Sequence, residues 1–266
     1  MSDLRTAKHR IETLENLARE DKWVNRLHPL IKLLVTFYFI ILTVSFSKYD
    51  LNGLLGMILY PIGLFFLSDL SFSAALKRLR IVLPVVCVVG LFNPFFDRTV
   101  VAHLGGFAIT GGFISMITLM VKGVLTVLAS YILIATTTIE GICFALRLLH
   151  VPRILVTEIL LIDRYIILLL TEANRMIQAY SLRAPGQKGV AYKVWGSLVG
   201  QLLLRSFDRA DEVYAGMSLR GFNGEFPTGK PRHTSPGGVV YFIVMIILLS
   251  LLRIFPVMSL IGGLFV

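Results

Sequence analysis

Long apolar segments alternate with short polar ones over most of the chain. A membrane-spanning helix needs about 20 predominantly apolar residues to cross roughly 30 Å of hydrocarbon. The pattern predicts about five transmembrane helices. They lie near residues 30–47, 51–67, 81–96, 113–138 and 238–262.

Between the fourth and fifth stretches, the segment 155–183 has the most regular pattern. At about 100° per residue, its charged side chains other than Asp163 fall within about a third of the helix circumference. This predicts a long amphipathic helix that is buried or lies at the membrane interface, because its apolar runs are short. A sixth span carrying the Asp163–Arg164 pair remains the alternative. The charges on the polar face are Glu158, Arg164, Glu172, Arg175 and Arg183.

Pro185 and Gly186 oppose continuation of this helix. A second helix is predicted over 192–205 and a third over 207–220. Gly221 is the residue expected just beyond a helix C-terminus. Two pairs of opposite charges three residues apart support the assignment, namely Arg205 with Asp208 and Arg209 with Glu212.

Composition places the chain among membrane proteins, with 56% apolar residues, 16% charged residues and a mean hydropathy of +0.77. The net charge of +10 does not indicate nucleic-acid binding, because the basic residues lie between apolar runs without interleaved aromatics. Twelve Lys and Arg lie within 140–237, whereas the opposite side has only Lys48, Arg98 and Arg253. The positive-inside rule therefore predicts a cytoplasmic N-terminus and long region, and a C-terminus outside.

The fold class predicted from these patterns is an all-α membrane protein with about five transmembrane helices and about three cytoplasmic helices. Such a chain would be a multi-pass protein of the inner or plasma membrane. Its predicted parts are a cytoplasmic N-terminal segment (1–29), a four-helix transmembrane region (30–138), a cytoplasmic helical region (139–237) and a C-terminal transmembrane helix (238–266).

Residue types with catalytic or metal-binding chemistry are scattered along the chain. The five histidines occur singly, and no His, Cys or carboxylate cluster has metal-ligand spacing. Residues 224–230 resemble a phosphate-binding loop, but Pro231 stands where a Ser or Thr would ligate magnesium. We therefore predict no catalytic, cofactor or metal site in this chain. Lys122, inside the fourth stretch, is either a functional charge or a side chain that snorkels to the interface.

A short element recurs at the C-terminal ends of two predicted helices. An arginine at a helix C-terminus stabilises the helix dipole by about a few tenths of a kcal/mol. This effect alone could explain the arginine in either copy. Two copies at matched positions favour a shared role, because a guanidinium can bind carboxylates or carbonyls of a partner. The copies are Ser181, Leu182 and Arg183, followed by Ala184, and Ser218, Leu219 and Arg220, followed by Gly221.

With these elements the chain resembles the transmembrane T component of energy-coupling-factor (ECF) importers, of the CbiQ cobalt type. That family has two short Ala-Arg-Gly-like motifs at the ends of cytoplasmic coupling helices. The first copy here departs from the pattern, since Ala184 stands where glycine is common. The likeness covers about residues 20–226 and includes His28, Pro29 and Lys32, the threonines 136–138, Ala145, Leu146, Arg147 and Pro152, and residues 209–212 leading to Met217.

The resemblance implies a non-catalytic subunit with two coupling elements, Ser181, Leu182 and Arg183, and Ser218, Leu219, Arg220 and Gly221. These would dock two ATP-binding cassette ATPase subunits, which bind the ATP and magnesium. The membrane helices would hold a CbiM-like substrate-binding S component and pass ATP-driven motion to it, for cobalt uptake and cobalamin biosynthesis.

Three alternatives remain open. Within the same class, the chain could be a T component for nickel or one shared among vitamin S components. A different class is a membrane-bound enzyme acting on lipid, with a polar site of Glu158, Asp163 and Arg164. The third is a channel lined by Lys122.

Overall fold

The computed structural model describes residues 2–96, 100–104, 107–187, 189–224, 226 and 236–254. The described residues form an all-α protein, as predicted, with one short antiparallel hairpin of two strands. The elements in chain order are α1 (Ser2–Arg19), α2 (Trp23–Arg26), α3 (Pro29–Ser45), α4 (Leu51–Gly56), α5 (Leu59–Ser68), α6 (Phe72–Phe96), β1 (Val100–Leu104), β2 (Phe107–Thr110), α7 (Gly111–Thr136), α8 (Ile139–Leu148), α9 (Arg153–Arg183), α10 (Tyr192–Leu219) and α11 (Pro236–Ile254).

The chain divides into two compact units. The first unit combines Met1–Leu17 with Thr138–Pro231, and therefore contains α8, α9 and α10. The second unit combines Ala18–Thr137 with Arg232–Val266 and contains the apolar helices.

The apolar helices that could span a membrane lie in the second unit. Among the described residues, three helical segments are long and apolar enough to cross a membrane, and two apolar segments are shorter. All five coincide with the stretches predicted from the sequence, so the protein is a multi-pass membrane protein. Residues 255–262 of the fifth stretch lie outside the described residues. The three longer segments are Leu51–Ser68, Gly111–Thr136 and Pro236–Ile254, and the shorter ones are Pro29–Ser45 and Leu83–Pro94.

Two local features of the second unit differ from the sequence pattern. The predicted span 51–67 is interrupted between α4 and α5, because Pro61 has no N–H to donate to the carbonyl of Met57 in a continuous helix. The carbonyl of Met57 instead accepts from the N–H of Tyr60 at 3.3 Å. The strands β1 and β2 were not predicted, although Gly105 and Gly106 between apolar runs are a hairpin signal.

Close packing between α6 and α7 depends on glycine. A Cβ added at Gly123 would meet the two methyl groups of Val86 at 3.1 and 3.2 Å, and one at Gly90 would meet Cγ of Met116 at 3.2 Å. Small residues let membrane helices approach closely, so that dispersion contacts can hold them together. Aromatic contacts hold other helices of this unit, as in the stacked rings of Phe39 and Tyr60, with centroids 4.3 Å apart.

In the first unit, the predicted helices 192–205 and 207–220 form one helix, α10, so the predicted break was wrong. Ser206, which lies at that position, donates its hydroxyl to the carbonyl of Leu202 at 2.7 Å inside the helix. Neither proline nor glycine occurs near it, and nothing opposes continuation. A further helix, α8, begins where Thr138 accepts a hydrogen bond from the N–H of Gly141 at 3.2 Å, the geometry of an N-cap.

Candidate partner-binding site

The first arginine element ends helix α9. Arg183 is the last residue of the helix, and Ala184 follows it with its N–H donating to the carbonyl of Tyr180 at 3.1 Å. The chain then turns, because the N–H of Gln187 donates to the carbonyl of Ala184 at 3.2 Å. No left-handed residue follows Arg183 directly, in agreement with the missing glycine at position 184.

The second arginine element ends helix α10 in a Schellman turn. Gly221 has φ +76°, and its N–H donates to the carbonyl of Ser218 at 3.0 Å. The N–H of Phe222 donates to the carbonyl of Met217, also at 3.0 Å, which completes the paired hydrogen bonds of this turn. Glycine adopts this backbone conformation without steric cost, so Gly221 fixes Arg220 as the final residue before the chain reverses.

Both elements present an apolar side chain and a charge to solvent. Leu182 is 82% exposed and Leu219 is 90% exposed. Arg183 and Arg220 are also exposed. The two predicted helix ends are thereby confirmed, while the coupling role of these seven residues stays a prediction. A fully exposed leucine beside an arginine gains free energy only when another surface covers it.

The second element adjoins a cavity. Arg220 and Gly221 line a cavity of about 840 Å³ between α8, α9 and α10, to which Arg183 does not contribute. Three further arginines, Arg147, Arg164 and Arg209, line the same cavity. Sequence patterns did not group these four arginines, because they are distant along the chain and only the packing of three helices brings them together.

Ion pairs form within α10 and between α9 and α10. The predicted pair of Arg209 with Glu212 is confirmed, with Nη1 and Oε2 2.9 Å apart. The predicted partner of Arg205 was wrong, because the guanidinium donates to the carboxylate of Glu172 on α9 rather than to Asp208 on its own helix. A neighbouring helix offers a carboxylate that the spacing within one helix cannot reveal.

An apolar trough lies beside the basic cavity, between α9 and α10. Its volume is about 440 Å³, and leucine, isoleucine and tyrosine side chains dominate its lining. None of the residues of α10 is buried, and α9 buries only Val156 and Thr157. These two helices therefore carry large apolar side chains that the described part of this chain leaves uncovered.

Lys122, whose role the sequence left open, caps the end of another helix. Its Nζ donates to the carbonyls of Val44 at 3.0 Å and Phe46 at 2.6 Å, where α3 ends. The guanidinium of Arg253 lies 3.8 Å from the centre of the Phe46 ring and donates to the carbonyl of Ser45 at 3.3 Å. Two cations thus bind the unpaired carbonyls and the negative end of the α3 dipole.

Lys32 makes the reciprocal contact at the opposite end of the same helix pair. Its Nζ donates to the carbonyl of Thr136, the last residue of α7, at 2.6 Å, and the side chain is buried. The antiparallel helices α3 and α7 therefore each provide a lysine that caps the other's C-terminus. Neither contact involves a carboxylate.

The residues considered for other chemistry do not assemble into a site. Among the described residues, no group of three His, Cys, Asp or Glu side chains is placed to hold a metal ion. Of Glu158, Asp163 and Arg164, only Arg164 lines the basic cavity. Burial, with smaller contributions from Asp163 and Glu140, raises the pKa of the Cys143 thiol to about 11. The phosphate-loop look-alike, 224–230, lies outside the described residues except for 224 and 226.

The fold defines a multi-pass membrane protein with an exposed helical unit. The family model CbiQ, described as cobalt transport protein, matches residues 20–232. The chain therefore belongs to the CbiQ family, and it is the transmembrane component of an energy-coupling factor transporter.

Individual relatives agree with this class. The chain is similar to the energy-coupling factor transporter transmembrane protein EcfT of Lacticaseibacillus paracasei, with 28% identity over 222 residues, 77% of this chain and 82% of that protein. EcfT of Bacillus subtilis is 26% identical over 253 residues, 86% of this chain and 94% of its own. Nickel permease LarQ of Lactiplantibacillus plantarum is 31% identical over 99 residues, which cover 37% of this chain and only 36% of the permease.

Proposed function

We propose that this chain is a non-catalytic T subunit that docks two ATPase subunits through the ends of α9 and α10. The observation that carries the proposal is the pair of exposed Leu-Arg helix ends, Leu182 with Arg183 and Leu219 with Arg220. Each end offers an apolar contact beside a guanidinium that can form bidentate hydrogen bonds to a carboxylate. ATP and magnesium are bound by the ATPase partners.

The membrane helices hold the S component in this proposal. The uncovered apolar faces of α9 and α10 and the apolar helices of the second unit supply surface for such a partner. Motion of the ATPases passes along α9 and α10, two rigid helices of 31 and 28 residues, to the S component. A cytoplasmic position of residues 139–237 is required, since the ATPases and their ATP are in the cytoplasm.

Cobalt is the proposed substrate, because the matching family model is described as a cobalt transport protein. Nickel is the alternative, since one relative is a nickel permease, although its match covers about a third of either chain. Uptake of radioactive cobalt and nickel by cells that express the assembled transporter separates the two. Vitamin uptake through a shared S component is a third outcome of the same assay.

The docking proposal is tested with Arg183→Ala and Arg220→Ala in the complex purified in mild detergent. Removing one partner of a buried charged pair costs about 2–5 kcal/mol, or roughly 30-fold to more than 1,000-fold in affinity. Losing an exposed helix-end arginine costs well under about 1 kcal/mol. We therefore expect each variant to lose ATPase subunits or to uncouple ATP hydrolysis from uptake, while membrane insertion is unchanged.

Arg175→Ala is the matched control. Arg175 is an exposed arginine of α9 that pairs with Glu172 at 3.7 Å and lies about two turns before the helix end. It should retain the ATPases and uptake. Because only the second element has the glycine turn, Arg220→Ala should have at least the effect of Arg183→Ala. Full uptake and unchanged ATPase association in both helix-end variants would refute the docking role, and lipid turnover by the purified chain alone would support the enzyme alternative.

A further inference from the structure

Two cations from different membrane helices converge on the C-terminal end of α3. The ammonium of Lys122, on α7, binds the carbonyls of Val44 and Phe46. The guanidinium of Arg253, on α11, donates to the carbonyl of Ser45 between them. Because these three carbonyls are consecutive, the two positive charges are neighbours at one helix end.

The positive charge of this pair exceeds the negative charge that the protein places against it. A helix C-terminus supplies about half an elementary negative charge, so about one and a half positive charges remain. In the described part of the chain, neither Lys122 nor Arg253 forms an ion pair with a carboxylate. Asp50, the acidic residue that follows α3, caps α4 instead, where its carboxylate accepts from the N–H of Gly53 at 3.1 Å.

Both cations also keep hydrogen-bonding capacity. The two carbonyl contacts use two of the three ammonium donors of Lys122, and the carbonyl of Ser45 uses one of the five guanidinium donors of Arg253. Two like charges repel each other more strongly where water is scarce. An anion with several acceptor oxygens therefore lowers the free energy of the pair without displacing the helix cap.

Helix lengths place the pair at the edge of the membrane. The 17 residues of α3 rise about 25 Å, and the segment of α11 from Pro236 to Arg253 rises about 27 Å. The two helices lie side by side, since the hydroxyls of Tyr38 and Ser250 are 2.8 Å apart. Both rises are close to the roughly 30 Å of a hydrocarbon core. The cations at the far ends of these helices therefore lie near the depth of the lipid headgroups.

Apolar side chains next to the pair face outward. Ile41 and Val44 on α3 are 61% and 58% exposed, and Leu251 on α11 is 46% exposed. In a membrane these side chains contact acyl chains. A phospholipid whose acyl chains cover them brings its headgroup to the level of Lys122 and Arg253, whereas a free anion has no such contact.

We propose that Lys122 and Arg253 bind the phosphate of one anionic phospholipid at the end of α3. Lipid with a negative headgroup is complementary to the uncompensated charge, and basic side chains near the membrane surface attract it. The guanidinium can bind two phosphate oxygens at once, and the ammonium acts as a point charge beside it. This site uses neither of the Leu-Arg helix ends, so it does not rest on ATPase docking.

The experiment uses the full chain in detergent and native mass spectrometry with added dioleoyl-phosphatidylglycerol, dioleoyl-phosphatidylcholine or inorganic phosphate. We expect retention of one phosphatidylglycerol in preference to phosphatidylcholine, and no displacement by millimolar phosphate. Arg253→Gln should weaken phosphatidylglycerol binding about tenfold, as expected for loss of a charge-assisted contact. Arg253→Lys should restore part of it, because the charge returns without the planar fork.

Arg80→Gln is the matched control, because it removes the same charge from an exposed position of α6 that is not part of the site. Lys122→Met tests the second cation and should also weaken phosphatidylglycerol binding, with the elution volume of the protein unchanged. Equal retention of the two lipids, equal binding by Arg253→Gln and Arg80→Gln, or displacement of the lipid by phosphate would each overturn the proposal.

Discussion

Replacing Lys32 with methionine provides a quantitative test of the reciprocal helix capping. Lys32 is 6% exposed, and its ammonium donates to the carbonyl of Thr136 at 2.6 Å. A second contact, to the carbonyl of Asn25 at 3.5 Å, is at the limit of hydrogen-bond geometry and contributes little. Methionine keeps the apolar stem and removes the ammonium donors, including the one that binds the carbonyl of Thr136.

The expected loss follows from the burial of both groups. Thr136 is itself 3% exposed, so water is not available to replace the lost donor. A buried carbonyl left without a partner costs about 1–3 kcal/mol, and hydrogen bonds to charged groups contribute about 1.5–3 kcal/mol. Relief of the cost of burying the ammonium offsets part of this. We therefore expect a net loss of about 1–3 kcal/mol, or a melting temperature lower by roughly 2–12 °C at a chain length near 250 residues.

The assay is thermal unfolding of the purified chain in detergent at one fixed scan rate, because membrane proteins often unfold irreversibly. Lys122→Met should have a smaller effect, since Lys122 is only half-buried and water can reach the end of α3. Lys193→Met, at an exposed position of α10, is the control and should change little. If Lys32→Met melts at or above the wild-type temperature, the carbonyl of Thr136 does not depend on the ammonium and the capping argument is refuted.

Two further predictions concern topology and helix packing. Gln187→Cys should react with a membrane-impermeant maleimide only in opened cells, because residues 139–237 are predicted to be cytoplasmic. A Cys87→Ala background removes one competing thiol, and the buried Cys143 thiol stays protonated and unreactive. Labelling in intact cells would reverse the predicted orientation. Gly63→Ala, which meets nothing within 4 Å, should raise the melting temperature, since alanine is favoured over glycine in helices by about 0.8–1.0 kcal/mol. Gly123→Ala should not show this gain, because the added methyl group would crowd Val86 on α6. Equal melting temperatures for the two variants would contradict the close packing.

The all-α membrane class and the positions of the apolar helices could be predicted from the sequence, because both depend on local composition. Apolar stretches predict membrane helices wherever they occur, since every backbone group in lipid must be satisfied within the helix. The turn after α10 was also predictable, because Gly221 adopts a left-handed conformation that most residues avoid. The break placed near Ser206 was wrong because a serine in mid-helix can bond to its own backbone without ending the helix.

The cap contacts and the basic cavity were decided only by tertiary structure. Lys32 and Thr136 are 104 residues apart, so the spacing along the chain could not indicate that one caps the other. Whether Lys122 faced lipid or a helix end likewise depended on where α3 stops beside α7. The four arginines of the cavity come from three helices. A sequence records which residues carry charge, but the electrostatic field at a site is a sum over distances in space, and helix packing sets those distances.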